Sequence, residues 1–442
     1  VKFAKSIESG ALVSKSILSL AILFGVSACS TAYESTALKS WDEVADGNHE
    51  AVLKDYEKRV VEPIDRLLLI LDQAMVLRSA RRFKESNEKL FEASRLFEIS
   101  GYVSVSEQAA SLLTNERMTV YQGEEFERVL VHLYLALNFV SLGDSQAALV
   151  EARKVNEILH LLSSQKKRSH HLNAFARYLT GFIYEKSREW NDAYIAYKAS
   201  WSIAGEPRWE FLGRSLIQNA LRLGFEDDLS FWTKTFGEDL VSEVRSQSRE
   251  AQASAVLFLE ARKSPKKIST QEKHRARGQE GGLIDVIVPV AVFEKRSSRV
   301  DHAQLCAEMG SGERRCAKSY ELFSLEETAI TDLKSRMARQ VSKAVASAAA
   351  KVGVAAAAGK ASDSDAVGLL TALVLFSSSQ ADTRSWLLLP GSFQAARLDL
   401  APGAYPFFIE IWSASRKIHE ESLGVYHLKA RELGAFQWRV WE

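Results

Sequence analysis

Proline is scarce, seven in 442 residues, so helices can run long without interruption and neither a collagen-like repeat nor a proline-rich stalk is in view. Cysteine is scarcer, at three, which excludes a disulfide-dense secreted scaffold and a four-thiolate zinc module. Neither sign of charge is in excess: 57 Lys+Arg stand against 56 Asp+Glu, for a net charge of +1. The field that marks a nucleic-acid binder is absent, and nucleic acid is not expected as a partner. No apolar run reaches the roughly 20 residues that a membrane-spanning helix needs. Catalytic signatures are missing too: there is no phosphate-binding glycine loop, no G-x-S-x-G and no H-E-x-x-H. A non-enzyme is expected, the alternative being a hydrolase whose carboxylates sequence alone cannot pair.

What is present begins with an address. Lys2, Lys5 and Lys15 precede "SILSLAILFGVSA", residues 16–28, which has the length of a signal-peptide core. The following "VSAC", ending at Cys29, resembles a bacterial lipobox. That resemblance implies removal of residues 1–28 and a diacylglycerol thioether plus an N-acyl chain on Cys29. Each buried methylene contributes about 0.8 kcal/mol, so such chains moor a protein firmly. Ser30 in place of an aspartate implies the outer membrane, with the protein facing the periplasm and no other cofactor expected. Residues 29–50 are polar and read as a tether.

From 51 to 245 apolar residues recur at helical spacing, and the pattern repeats. In "AFARYLTGFIYEKSREWNDAYIAYKAS" Gly181, Tyr184, Ala193 and Tyr197 follow the tetratricopeptide ruler of small and large residues on paired helices. Ala136, Phe139, Ala148 and Ala152 fit the same ruler, as do Ala74, Leu77, Ser86, Leu90 and Ala93. Small residues let two helices cross closely, and the large ones fill the space beside them. A degenerate fourth unit, "SLIQNALRLGFEDDLSFWTKTF", is expected to cap the array. An insert over 101–128 and the loop "LLSSQKKRSHH" interrupt its regularity.

Beyond residue 245 the pattern changes. "SAVLFLEA", "LIDVIVPVAVFEK" and four segments after residue 390 read as strands; 325–361 and "AVGLLTALVLFSS" read as a pair of helices. The expected fold is α+β: a helical solenoid over 51–245, then a mostly antiparallel sheet with a helical pair over 246–442. Residues 262–282, carrying Arg262, Lys263, Lys266, Lys267, Lys273, Arg275 and Arg277, read as an exposed basic loop.

Helical repeats of this kind hold partners on the concave face made by first helices. Leu130, Leu133 and Leu137 of the second repeat and Phe175, Tyr178, Phe182, Glu185 and Lys186 of the third would line that groove, unless the C-terminal domain or the insert covers them. Cys306 and Cys316 flank a glycine-containing turn and suit a disulfide; a metal pair with His302 is the rival reading. His160, His170 and His171 bracket a solvated loop, and no metal is expected there. Trp412 and Tyr426 are candidate sugar-stacking residues.

The stretches "SVSEQAASLLTNERMTVYQGEEFERVLVHLYLALNF" (104–139) and "QADTRSWLLLPGSFQAARLDLAPGAY" (380–405) resemble an uncharacterised family of bacterial tetratricopeptide lipoproteins. In the second, Asp382, Arg384, Trp386, Pro390 and Arg397 carry the likeness. The family implies an envelope location and helical repeats and no established activity. The expected role is a scaffold for envelope proteins, in envelope assembly or maintenance; the alternative is a lipoprotein that binds peptidoglycan through its β-rich domain.

Overall fold

The computed structural model describes residues 29–59, 63–100, 120–164, 173–249, 252–277, 283–362 and 381–441. Helices α1 (Cys29–Ala45) and α2 (His49–Lys58) lead into antiparallel pairs: α3 (Arg66–Ser79) with α4 (Phe83–Ser100), α5 (Glu125–Ser141) with α6 (Ser145–Ser164), α7 (Ala174–Lys186) with α8 (Trp190–Ile203), and α9 (Glu210–Leu223) with α10 (Glu226–Phe236). Helix α11 (Glu238–Arg249) closes the array against α9 and α10. The small residues of the repeat ruler sit where helices cross. A Cβ on Gly181 would lie 2.7 Å from the Tyr197 ring, so only glycine admits that approach. Ala74, Ala93, Ala136 and Ala148 are fully buried. The fourth, weaker unit is a helix pair as expected, with Gly213 packed on Phe236.

Among the described residues, the C-terminal half forms two four-stranded sheets and a separate hairpin. One sheet has the order β10 (Leu433–Arg439), β1 (Ala253–Lys263), β7 (Pro390–Leu400), β6 (Tyr320–Ser324). Only β1 and β10 pair in parallel there, from Ser254 with Leu433 to Glu260 with Arg439. The second sheet, antiparallel throughout, has the order β5 (Arg314–Lys318), β4 (His302–Glu308), β8 (Gly403–Ser413), β9 (Arg416–Leu428). The two sheets face each other over Ala255, Leu257 and Leu259 of β1 and Leu305, Phe407 and Ile409 of the second sheet. The opposite face of β1, with Val256 and Phe258, joins the helical core. Strand β7 is buried along its whole length and β1 along most of it, because helices cover one side of their sheet and strands the other. That double cover is why "SAVLFLEA" reads as one apolar run.

Two expectations change. Residues 29–50 are not a tether: α1 packs on the body, with Trp41 buried between the rings and cations of Trp441, Lys263, Arg296 and Arg439. Its polar composition hid this, since the buried face is small: Ala37, Trp41 and Val44 are its buried apolar residues. The basic segment 262–282 is largely strand: β2 (Lys266–Arg277) pairs with β3 (Leu283–Glu294) over its whole length. Its alternate residues face solvent, and cations on an open face look like loop in sequence. Helix α12 (Leu325–Ser362) covers the other face of the hairpin, placing Met337, Val341 and Val345 on Val288 and Val290. The second expected helix, near 366–378, lies outside the described residues.

Candidate interaction site: a groove filled by its own chain

The first helices α3, α5, α7 and α9 present a concave face, as the repeat pattern implies, but the face is occupied. Phe258 of β1 meets Phe175, Tyr178 and Phe182 with ring centroids 5.7, 6.3 and 5.1 Å apart. Phe393 of β7 lies 5.1 Å from Phe175 and 6.1 Å from Tyr134. Leu130, Leu133 and Leu137 are buried, and the Leu137 carbonyl accepts a hydrogen bond from Gln437 of β10. Lys186 donates to the Leu433 carbonyl. These residues therefore do not line an open groove: of the two expected arrangements, cover by the C-terminal domain is the one found. The sheet's second apolar face needs cover, and the groove is the surface of matching shape and chemistry.

Polar groups inside this interface pair across it. Arg397 of β7, fully buried, donates to Glu185 of α7 at 3.1 Å, to Ser215 of α9 at 3.1 Å, to Ser254 at 2.8 Å, and to Gln218. Tyr197 and Arg222 also donate to Glu185, at 2.7 and 2.9 Å. Burial opposes ionisation of Glu185, but Arg397 and Arg222 prevail and hold its carboxyl down at about 2. A second cluster joins Arg78 and Tyr134 of the helices to Glu260 of β1 at 2.8 and 2.9 Å, with Arg439 completing it from β10 at 2.9 Å.

The third cluster brings together the two stretches that carry the family likeness. Glu124 precedes α5, and with Glu127 it forms a reciprocal cap on the helix start. Lys267 of β2 donates to Glu124 at 2.6 Å, and Arg336 of α12 pairs with it as well. Glu127 accepts from Tyr121 at 2.8 Å, from the Glu124 amide at 2.9 Å and from the Trp386 amide at 2.9 Å. Burial, aided by the Glu124 charge, pushes Glu127 up to about 7. Arg384 binds Asp382 at 2.8 Å and Asp65 at 3.0 Å. Sequence reasoning marked Asp382, Arg384, Trp386 and Arg397 only as a recurring pattern. Apart from Asp382 with Arg384 and Asp399 beside Arg397, their partners (Asp65, Glu127 and Glu185) lie in the helical half, and no local signal names them.

The other candidates fall elsewhere. Cys306 and Cys316 stand opposite each other on β4 and β5 and are joined by a disulfide. Glu410 lies close enough for the three to offer metal ligands, but both sulfurs are consumed by that bond. His302 stacks on Trp412 at 6.0 Å and pairs with Asp301. Tyr426 pairs in register with Tyr405 and packs on Phe407 and Phe436, so it belongs to the inner face of its sheet, whereas Trp412, next to inward-facing Ile411, lies on the outer face. The two are not one sugar platform. His160 lies on α6, and His170 and His171 fall outside the described residues. Cys29 is the first residue of α1.

An open apolar cleft of about 540 Å³ does exist on the second-helix side, lined by Tyr194, Ile195, Lys198, Trp201 and Phe225. Ile195 and, on α10, Phe231 are exposed in this region, and the Phe231 ring meets Trp201 at 5.8 Å.

No protein-family model matches the chain, and no curated protein matches it. Among solved structures, "MamA MSR-1 C2" is similar over 48% of this chain and 96% of that one, at 12% identity and a TM-score of 0.29. A likeness that distant bears on neither fold nor function here.

Proposed function

We propose that this protein is a non-enzymatic scaffold, anchored through acylated Cys29 on the periplasmic side of the outer membrane, that holds envelope proteins on the second-helix side of its array. The observation that carries the reading is the division of the helical surface. The first-helix groove is filled by the chain's own sheet, while the cleft at Tyr194, Ile195 and Trp201 stays open and apolar. Apolar side chains exposed beside a cleft suit an apolar segment of another protein. The non-enzymatic reading is supported by two of the buried carboxylates: Glu185 is locked by arginines, and Glu127 is sealed behind Trp386 and Tyr121.

Site-specific photo-crosslinking from position 195 in intact cells tests this. A defined crosslinked protein, lost on Phe231→Glu while the melting temperature is kept, is the expected result. Crosslinks from position 195 no more frequent than from a polar surface position such as Lys154 would refute it. In the alternative, peptidoglycan binding through the β-rich domain, Trp412 and Tyr426 would act as separate contacts, because those rings lie on opposite faces of one sheet.

A further inference from the structure

The open cleft beside Ile195 has an aromatic floor whose rings are tied to one another. Tyr194 of α8 accepts a hydrogen bond from the Trp232 indole of α10 at 3.0 Å, and its ring meets Phe225 at 5.5 Å. Trp201 meets Trp232 at 5.0 Å. The Trp201 indole also donates to the Pro207 carbonyl at 3.1 Å, which fixes the turn after α8 and sets Glu206 at the cleft's edge. Side chains held in this way have little rotamer freedom to lose when something binds.

The rim around this floor is charged, and mostly of one sign. Residues 190–206 and 225–231 hold Asp192, Glu206, Glu226, Asp227 and Asp228 against Lys198 alone. Lys198 is neutralised by Asp228 at 3.0 Å, and Asp192 lies in the field of Arg153. Three carboxylates are left: Glu206, which lines the cleft, and Glu226 and Asp227, which directly follow the lining residue Phe225. All three residues are exposed, and among the described residues none of these carboxylates has a hydrogen bond or an ion pair. Glu226 and Asp227 also complement the positive start of α10. Glu206 lies outside any helix and has no such task.

Two features select the occupant. The apolar surface does not stop at the cleft, since Ile195 is 57% and Phe231 46% exposed. A small molecule filling about 540 Å³ would leave both in water, whereas an amphipathic segment of a protein covers them. The unpaired carboxylates, in turn, call for cations flanking the apolar side chains of that segment. They also disfavour a second copy of this chain. A two-fold contact brings one patch onto the same patch, and would set Glu206, Glu226 and Asp227 against like charge.

We infer that the partner held at this cleft presents a basic amphipathic segment, with apolar side chains on Tyr194, Ile195, Trp201 and Phe231 and Lys or Arg at Glu206, Glu226 and Asp227. The inference rests on the proposed docking of proteins at this cleft and adds the chemistry of the segment that docks.

The test uses two labelled synthetic helical peptides with identical Leu and Trp positions, one carrying Lys and the other Glu at every polar position. Each is titrated with the full chain and followed by fluorescence anisotropy. The Lys peptide should bind at least about 10-fold more tightly than the Glu peptide at low salt, and the difference should shrink at high salt. Glu206→Gln with Glu226→Gln and Asp227→Asn should abolish the difference, and Ile195→Ser should weaken the Lys peptide, with circular-dichroism melts unchanged. Glu206→Gln alone, outside the helices, should narrow the difference even if the triple variant melts early. No binding of the Lys peptide, equal affinity for the two peptides, or a preference that survives these substitutions would overturn the inference.

Photo-crosslinking from position 195 reads the docking itself. A defined crosslinked protein whose captured segment lacks Lys and Arg would keep the docking and overturn its chemistry. A crosslink to a second copy of this chain would overturn the inference as well, and the absence of any defined crosslink would remove the docking and the inference together.

Discussion

Arg397, on a strand of the C-terminal sheet, lies 3.1 Å from Glu185, on a first helix of the repeat array, and neither touches water. The pair joins two parts of the chain that the sequence reads as separate domains. It also makes the sheet an internal ligand of the array: the strand supplies the aromatic and cationic groups that an outside partner would otherwise bring to that groove.

Arg397→Leu should therefore destabilise the whole protein, because Glu185 and Asp399 stay buried with less compensation. Breaking one side of a buried pair costs about 3–5 kcal/mol, and Arg222 remaining on Glu185 places the expectation at the lower end. Urea denaturation followed by tryptophan fluorescence would measure it. A cost below about 1 kcal/mol would mean the pair does not hold the sheet in the groove.

Glu127 carries the opposite sign. Its folded value is raised to about 7 by burial and by Glu124, so the folded state holds a proton that the unfolded state releases above the ordinary value of 4.5. Its contribution is full below that value and is lost as pH rises through about 7. The difference is of order 3 kcal/mol. Unfolding free energies at several pH values between about 4.5 and 8 should fall with rising pH more steeply in the natural chain than in Glu127→Gln. Parallel curves for the two chains would contradict the assignment.

Phe258→Ala removes the ring around which Phe175, Tyr178 and Phe182 gather. The loss should be about 3–5 kcal/mol, whereas Ile195→Ala on the open side should change stability by less than about 0.5 kcal/mol. Chemical denaturation of the two variants side by side distinguishes a filled groove from an open one.

The turns inside the repeats give a gain. Gly143 and Gly224 have φ of 75° and 69°, and the matching positions of two other pairs hold Arg81 and Arg188 at 59° and 64°. A non-glycine side chain pays about 1 kcal/mol in that region, and both arginines are exposed. Arg188→Gly should raise the unfolding free energy by about 0.5–1 kcal/mol, read from a shifted denaturation midpoint at unchanged slope.

The repeat array was legible because its signal is local. Gly181 and Tyr197 are sixteen positions apart in sequence and touch within one hairpin, and the same spacing recurs in Ala74 with Leu90 and Ala136 with Ala152. The strands of the sandwich were legible for a similar reason, since a run such as "SAVLFLEA" has too few polar positions to face water on either side. Strand β2 was not, because one of its faces is covered only by a helix some 60 residues later and the other holds cations in solvent. Nor was α1, where a largely polar helix docks through Ala37, Trp41 and Val44, and the cage around the tryptophan comes from Lys263, Arg296, Arg439 and Trp441, more than 200 positions later.

What the amino-acid sequence determined by itself was which faces are apolar: periodicity records that a residue is hidden, residue by residue. What only the tertiary structure decided was what hides it. The aromatic row of Phe175, Tyr178 and Phe182 would look the same in sequence whether it awaited a partner or was already covered. The choice was made by Phe258, Phe393 and Arg397, because burying both faces of one sheet removes more apolar surface from water than leaving groove and sheet apart. That comparison involves the whole chain at once, and no window along it contains the answer.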